Sequence, residues 1–443
     1  MAGYDKLENL LRYYEINQLF EEGRDIDKEA YLKKLDSCVG DRDRLMEVYG
    51  ELCALPMRAD YRYEEPSELC EIEAESDCAG IIDEYRDIDI DYFHGAWLGR
   101  CIGCAFGQPC EGWSSENIRA WYKNAGKYPI TYYFPSASGT DRRDHPSTDE
   151  QICGMPLDDD TRFTVLNYLL LKQKGLDFDT WDVGSHWVWN LPIRFVCTAE
   201  TQAYLNFVNV DGFTPWHKPE NAMETLKKEG INTYLNPYRE FIGAQIRADA
   251  FAYIAAGKPR LASRLAHTDA YLSHIKNGIY GEMFFAALIS AAFTEKDVDK
   301  CIDTAFAVVP KKSRFYEEMQ EVRAIAESAT DRSVLIDTLV ARAGAYNWVH
   351  TINNAAFCLG AIIFAKGDFR EAVTLAIECG CDTDCNGATV GSFMGALLGA
   401  QGIPEDLASA MKDNFSVGIS PYDNYSILGF ARELKELHSK LNS

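Results

Sequence analysis

No stretch of this 443-residue chain is a clean apolar span of the ~20 residues that a membrane helix needs. The most apolar run, GAWLGRCIGCAFG at 95–107, carries Arg100 and soon meets Gln108 and Glu111. Basic residues are scarce as well. Lys and Arg number 44 against 68 Asp and Glu, a net charge of −24, so nucleic acid and anionic membrane surfaces are excluded as nonspecific partners by overall repulsion. Alternating strands are few, and the best extended candidate, TYYFP at 131–135, is short and ends in proline. The N-terminus MAGYDKLENLL has neither a basic n-region nor an apolar h-region, which predicts a cytoplasmic protein with reduced thiols. Low-complexity tracts and long repeats are absent too.

What remains is helical periodicity on a chain that is 47% hydrophobic, enough to bury a sizeable core. Leu7, Leu10, Leu11 and Tyr14 mark an early amphipathic helix, and Ala355, Ala356, Leu359, Ile362 and Ile363 a late buried one. Asp368 with Glu371 predicts a capping box that introduces Val373, Ala376 and Ile377. The fold class expected is all-α, a compact multi-helix bundle. Residues 1–90 are read as a helical extension followed by an acidic, solvated connector from Glu64 to Asp91, and 91–443 as the main domain. A long irregular excursion is expected between Glu111 and Asp158. The fourteen cysteines are read as small buried residues in preference to a zinc site, although Cys101 and Cys104 form a C-x₂-C pair and Cys379, Cys381 and Cys385 cluster. Trp187, Trp189, Tyr204 and Phe207 are core candidates that could also stack a base or a sugar.

Two glycine ladders stand out: Gly95, Gly99, Gly103 and Gly107, then Gly387, Gly391, Gly395 and Gly399. Each helical Gly costs roughly 0.5–1 kcal/mol relative to Ala, and close backbone packing near the protein's centre is the compensation predicted. Each ladder adjoins acidic residues. Glu111 follows the first, Asp382 and Asp384 head the second, and a third acidic cluster, Asp158, Asp159 and Asp160, opens another helix. One such residue suffices to cap a helix, whereas several together repel one another unless a hard divalent cation sits between them. An EF-hand at Asp382–Gly387 is disfavoured, because Phe393 stands where the bidentate Glu belongs.

GAWLGRCIGCAFGQPCEG, DDDTRFT and GCDTDCNGATVGSFMGALLGA, with GAQIRADA and LAHTD, resemble the signature segments of the ADP-ribosylglycohydrolase family, in order, over about residues 91–410. The resemblance implies an all-helical domain holding two divalent cations, Mg²⁺ or Mn²⁺, at the bottom of a cleft. It carries metal binding onto Asp158, Asp159, Asp160, Asp382, Asp384 and Cys385, and catalysis onto Glu111 and Asp384. Gly243, Gln245, Arg247, His267, Asn277 and Tyr280 become substrate-binding candidates. This chain departs from the family at Asp158, where Ser or Thr is usual; at Cys385, where Thr is usual; and at Cys104, where many members have Asp. The Gly-Asn-Gly that often precedes the Arg is replaced by Arg239, Glu240, Phe241, Ile242 and Gly243.

The implied activity is hydrolysis of an ADP-ribosyl or related ribosyl bond. Substrates would be a small ribosylated molecule or an ADP-ribosylated protein, with no nucleic-acid or membrane partner. The missing Gly-Asn-Gly keeps open a smaller ribosyl or nucleoside-like substrate, and the substitutions keep open a relative that binds without catalysis.

Overall fold

A computed structural model describes residues 6–136, 145–211, 213–214 and 216–442. Helices dominate. The strands among the described residues form one antiparallel pair, Phe415–Ser416 against Asp423–Tyr425. No helix among the described residues is long and apolar enough to cross a membrane.

The centre of the fold is built by four helices: α1 (Ile90–Gly107), α2 (Asp159–Lys174), α3 (Lys276–Ala292) and α4 (Thr383–Leu398). Helices α1 and α4 run antiparallel in direct backbone contact. A Cβ added at Gly391 would overlap the Gly99 carbonyl, one at Gly395 the Gly95 carbonyl, and one at Gly103 the Gly387 carbonyl. The ladders therefore face each other rung by rung, and the carbonyl oxygens that block a side chain are backbone, which cannot rotate away. Gly391→Ala and Gly395→Ala are each expected to destabilise by about 1–3 kcal/mol through overpacking, read as a lowered urea midpoint. Stabilisation at both positions, the result for an exposed helical Gly, would contradict this packing.

Arg100 lies in the middle of α1 and is fully buried. Its guanidinium bonds the backbone carbonyls of Asp160 (2.8 Å) and Ile246 (2.6 Å) and pairs with Asp249 at 2.6 Å. A charge that looks out of place in an apolar run thus ties the first turn of α2 to the central pair.

The N-terminal helices form a smaller hydrophobic cluster that includes Leu11, Ile16, Leu19 and Leu52 and is shared with Leu235, Tyr238 and Phe241 of the main domain. Ion pairs reinforce the joint. Arg239 holds the buried Glu15 at 3.1 Å and Glu22 at 2.6 Å, and Gln18 reaches Glu240 at 2.7 Å. The acidic connector is solvated only in part. Glu65 is buried against Arg314 at 2.8 Å and accepts from Asn277, while Glu68 pairs with Lys227 at 2.7 Å. Charge had suggested solvent exposure, but basic partners on the main domain draw this segment inward. Among its described residues the stretch between Glu111 and Asp158 carries a helix, Ser115–Asn124; residues 137–144 of the expected excursion lie outside the described residues. The later periodic segments form Thr351–Ala365 and Phe369–Cys379, with Asp368 accepting from the Glu371 N–H.

Candidate metal centre and cleft

The antiparallel ladders bring the C-terminal end of α1 to the N-terminal end of α4. Thr383 Oγ1 donates to the Gly107 carbonyl at 2.8 Å. Two further backbone bonds tie the chain after α1 to the chain before α4: Gly112 N–H to the Cys381 carbonyl (2.8 Å) and Cys381 N–H to the Trp113 carbonyl (3.0 Å). Both Gly112 and Gly380 have positive φ, which glycine adopts without steric cost. This clasp is what places Glu111 beside Asp382 and Asp384, residues more than 250 positions away.

Three clusters of donor atoms result, each with its members within 4.8 Å of one another: Glu111 with Asp382 and Asp384; Asp160 with Asp384 and Cys385; and Cys104 with Asp158 and Asp160. They share Asp160 and Asp384, so they form one connected centre. Asp159 stands outside these triads but lines the cavity above them. Asp158 is in part an ordinary cap: its Oδ1 accepts from the Asp160 N–H at 2.9 Å, and its Oδ2 accepts from Gln108 at 2.5 Å. Asp382 makes no such cap bond; its own N–H is held by Asn354 Oδ1 at 3.2 Å, which also accepts from Asn386 at 2.9 Å.

Asp160 Oδ2 and Asp384 Oδ1 are buried without a hydrogen-bond partner among the described residues. A buried polar atom left this way costs free energy. Burial first, then neighbouring carboxylates, push Asp159, Asp160 and Asp384 well above the usual carboxylate range, and burial raises Asp382. Orphaned oxygens, mutually repelling carboxylates and an oxygen-rich donor set all fit divalent cations held among Glu111, Asp158, Asp160, Asp382 and Asp384.

The centre opens into a cavity of about 360 Å³. Its walls include Phe163, Gly243, Asn347 and Trp348, and Tyr14 reaches it from the N-terminal helices. Glu200 is also on the wall, and a Cβ at position 243 would strike its carboxylate, so Gly243 leaves room for that group. No Lys or Arg is among the described residues that line this cavity.

Five expected substrate contacts are corrected here. Arg247 does not line the cleft: it is fully buried and pairs with Glu200 and Asp269, both at 2.5 Å, and with Glu282 at 3.7 Å. His267 Nε2 bonds the Ser67 carbonyl at 2.9 Å, Asn277 donates to Glu240 at 2.6 Å, and the Tyr280 hydroxyl donates to the Pro66 carbonyl. Gln245 is buried against Thr389 and Cys358. Connector residues and inner carboxylates take up the polar groups that sequence position alone had aimed at a ligand. Of the substrate-binding candidates, only Gly243 is on the cavity wall. Trp187 and Phe207 are core residues, as their density had suggested, while Trp189 is exposed elsewhere.

Glu200, Asn354 and Trp348 were not singled out from sequence, and Tyr14 only as one position of an amphipathic helix. For Asn354 a signal existed: Asn353 and Asn354 interrupt an otherwise apolar helix, and a buried amide must find partners. The others depend on long-range packing and carry no local mark.

Residues 86–441 match the family model described as ADP-ribosylglycohydrolase. No curated protein sequence matches the chain. Among the solved structures similar to the chain is an "ADP-ribosylglycohydrolase-related protein complex", at 17% identity with a TM-score of 0.43, over 80% of this chain and 99% of that one.

Proposed function

The chain belongs to the ADP-ribosylglycohydrolase family, and from that premise we propose that it is a metal-dependent glycoside hydrolase acting on an ADP-ribosyl or related ribosyl bond, N- or O-linked. The observation that carries this reading is the convergence of Glu111, Asp382 and Asp384 at the floor of the cleft. Divalent cations, Mg²⁺ or Mn²⁺, would supply charge neutralisation, orientation of a ribose diol and a lowered pKa for water. The protein's own contribution is geometric and electrostatic. With the cations bound, Asp158, Asp160, Asp382 and Asp384 would be held ionised near where an oxocarbenium-like transition state develops positive charge, and Asn354 fixes the turn that presents Asp382. Glu111 is exposed at the mouth of the centre, where it can exchange a proton with water and with the leaving group.

Metal binding is checked by thermal melting. Mg²⁺ or Mn²⁺ is expected to raise the melting temperature, since a ligand bound only by the native state stabilises by about 2.7 kcal/mol at one hundred times its Kd. Asp384→Ala removes a member of two triads and should abolish the shift. The effect has a pH sign. Carboxyls whose native pKa is raised stabilise the metal-free fold fully below about 4, and that contribution is lost as pH rises through the raised values. Cations hold the same groups ionised, so the metal-induced shift is expected to widen between about pH 5 and pH 8. A shift that narrows over this range, or no divalent-ion binding by calorimetry, would end the metal reading.

A second reading, a smaller and unphosphorylated ribosyl substrate, is favoured by a cavity wall whose described residues include no Lys or Arg. A pyrophosphate there would face Glu111 and Asp159 with no Lys or Arg among the described residues that line the wall, and Arg247 is committed to inner carboxylates. Tyr14 further closes the cleft from the N-terminal side. In calorimetry with Mg²⁺ present, ADP-ribose is then expected to bind at least about tenfold, or 1.4 kcal/mol, more weakly than an uncharged riboside. Tighter binding of ADP-ribose would return the assignment to the larger substrate.

A further inference from the structure

Two thiols stand inside the metal centre. Cys104 Sγ is within 4.8 Å of donor oxygens of Asp158 and Asp160, and Cys385 Sγ within 4.8 Å of Asp160 and Asp384. Both cysteines are buried, and they come from opposite members of the glycine-ladder pair, α1 and α4. Other buried thiols of this core behave as ordinary weak donors: Cys110 Sγ lies 3.4 Å from the Gly107 carbonyl, and Cys358 Sγ lies 3.4 Å from Asn386 Oδ1. Cys385 also hydrogen-bonds the Asp382 carboxylate, but it and Cys104 both flank Asp160, whose Oδ2 is fully buried and lacks a partner among the described residues.

The donor sets on the two sides of the centre therefore differ in kind. Glu111, Asp382 and Asp384 offer only oxygen, while both triads that contain Asp160 include a sulfur. Oxygen-only sites suit Mg²⁺, which demands near-octahedral oxygen coordination and dehydrates reluctantly. Thiolate ligands favour Zn²⁺ and its open-shell substitute Co²⁺. In a tetrahedral thiolate–carboxylate site, bonds of about 2.3 and 2.1 Å place sulfur and oxygen about 3.6 Å apart, so the triads close with side-chain movements of about an ångström.

Resting on the metal part of the proposed function, we infer that the two cation positions are chemically unlike: a hard one at Glu111, Asp382 and Asp384, and a thiophilic one around Asp160, between Cys104 and Cys385, that selects Zn²⁺ or Co²⁺ over Mg²⁺. On binding there, the coordinating thiol becomes a thiolate and its proton passes to the buffer. The departures from the family pattern at Cys104 and Cys385 then act together to change the metal preference of one position.

Co²⁺ titrated into the chelator-treated full chain tests this by absorption spectroscopy, without any substrate. A near-ultraviolet sulfur-to-cobalt charge-transfer band is expected to grow to a stoichiometric end point and to persist in excess Mg²⁺. Cys385→Ser or Cys104→Ser, each checked for native circular dichroism, should lose most of the band. Co²⁺ binding with no charge-transfer band would overturn the inference in the wild-type chain alone, whatever the variants do; so would displacement by Mg²⁺, or a band that survives in both folded serine variants. Those outcomes leave the oxygen-liganded centre standing. Failure of Mg²⁺, Mn²⁺ and Co²⁺ all to bind removes the proposed function as well.

Discussion

Arg247→Ala is expected to lower global stability by about 3–5 kcal/mol, the range for breaking a buried ion pair from one side. Three carboxylates converge on this one guanidinium: Glu200, Asp269 and Glu282. Burial already raises the pKa of each, and the arginine is what offsets it for Glu200 and Asp269. Its backbone carbonyl also accepts from Asn167 at 3.2 Å, and its guanidinium carbon lies 5.2 Å from the centroid of the Trp187 ring. Without the charge, the three groups must take up protons to stay buried. A raised native pKa gives stability that is present at low pH and lost as pH rises, so the variant should lose more at about pH 8 than at about pH 5. Arg247→Lys should fall between, retaining charge but not the forked geometry. Urea unfolding at both pH values reads this out. A loss under about 1 kcal/mol, the size expected for a solvated ion pair, would mean that the network does not hold the fold. Glu200 links this network to the cleft, so a weakened ligand affinity in the variant reports indirect displacement of the wall and not a lost phosphate contact.

Glu111→Gln is expected to reduce turnover about 10²–10⁴-fold, the contribution typical of a positioned general acid–base. The substitution keeps the shape of the side chain and one oxygen, and it leaves Asp158, Asp160, Asp382 and Asp384 in place. The amide oxygen can still meet a cation, so the thermal shift with Mg²⁺ should be weakened but not abolished, in contrast to Asp384→Ala. That split separates the two roles Glu111 could have. Loss of turnover together with the metal shift would make it chiefly a ligand, and near-normal turnover on a ribosylated substrate would remove it from the chemistry. Because Glu111 is the exposed member of its triad, it is also the member that can reach a leaving group in the cleft.

Periodicity, the two glycine ladders and the spaced acidic segments were enough, from sequence, to identify an all-helical protein with a buried pair of closely packed helices and carboxylates at their ends. That information is local: a ladder repeats every four residues, and a cluster occupies consecutive positions. The antiparallel pairing of the ladders added the rung-by-rung register, and the clasp between Gly112 and Cys381 put Glu111 beside Asp382 and Asp384. The substrate wall was illegible for the opposite reason. Arg247, His267, Asn277 and Tyr280 are polar residues in helical segments, and from sequence such residues could face either a ligand or a buried partner. The partners come from Glu200, Asp269 and the connector Glu65–Ser67, far away in the chain. Only packing could decide which polar groups are spent inside the protein and which, like Asp159, line the cavity. Burial acts on atoms brought together in space, and sequence distance carries no record of it.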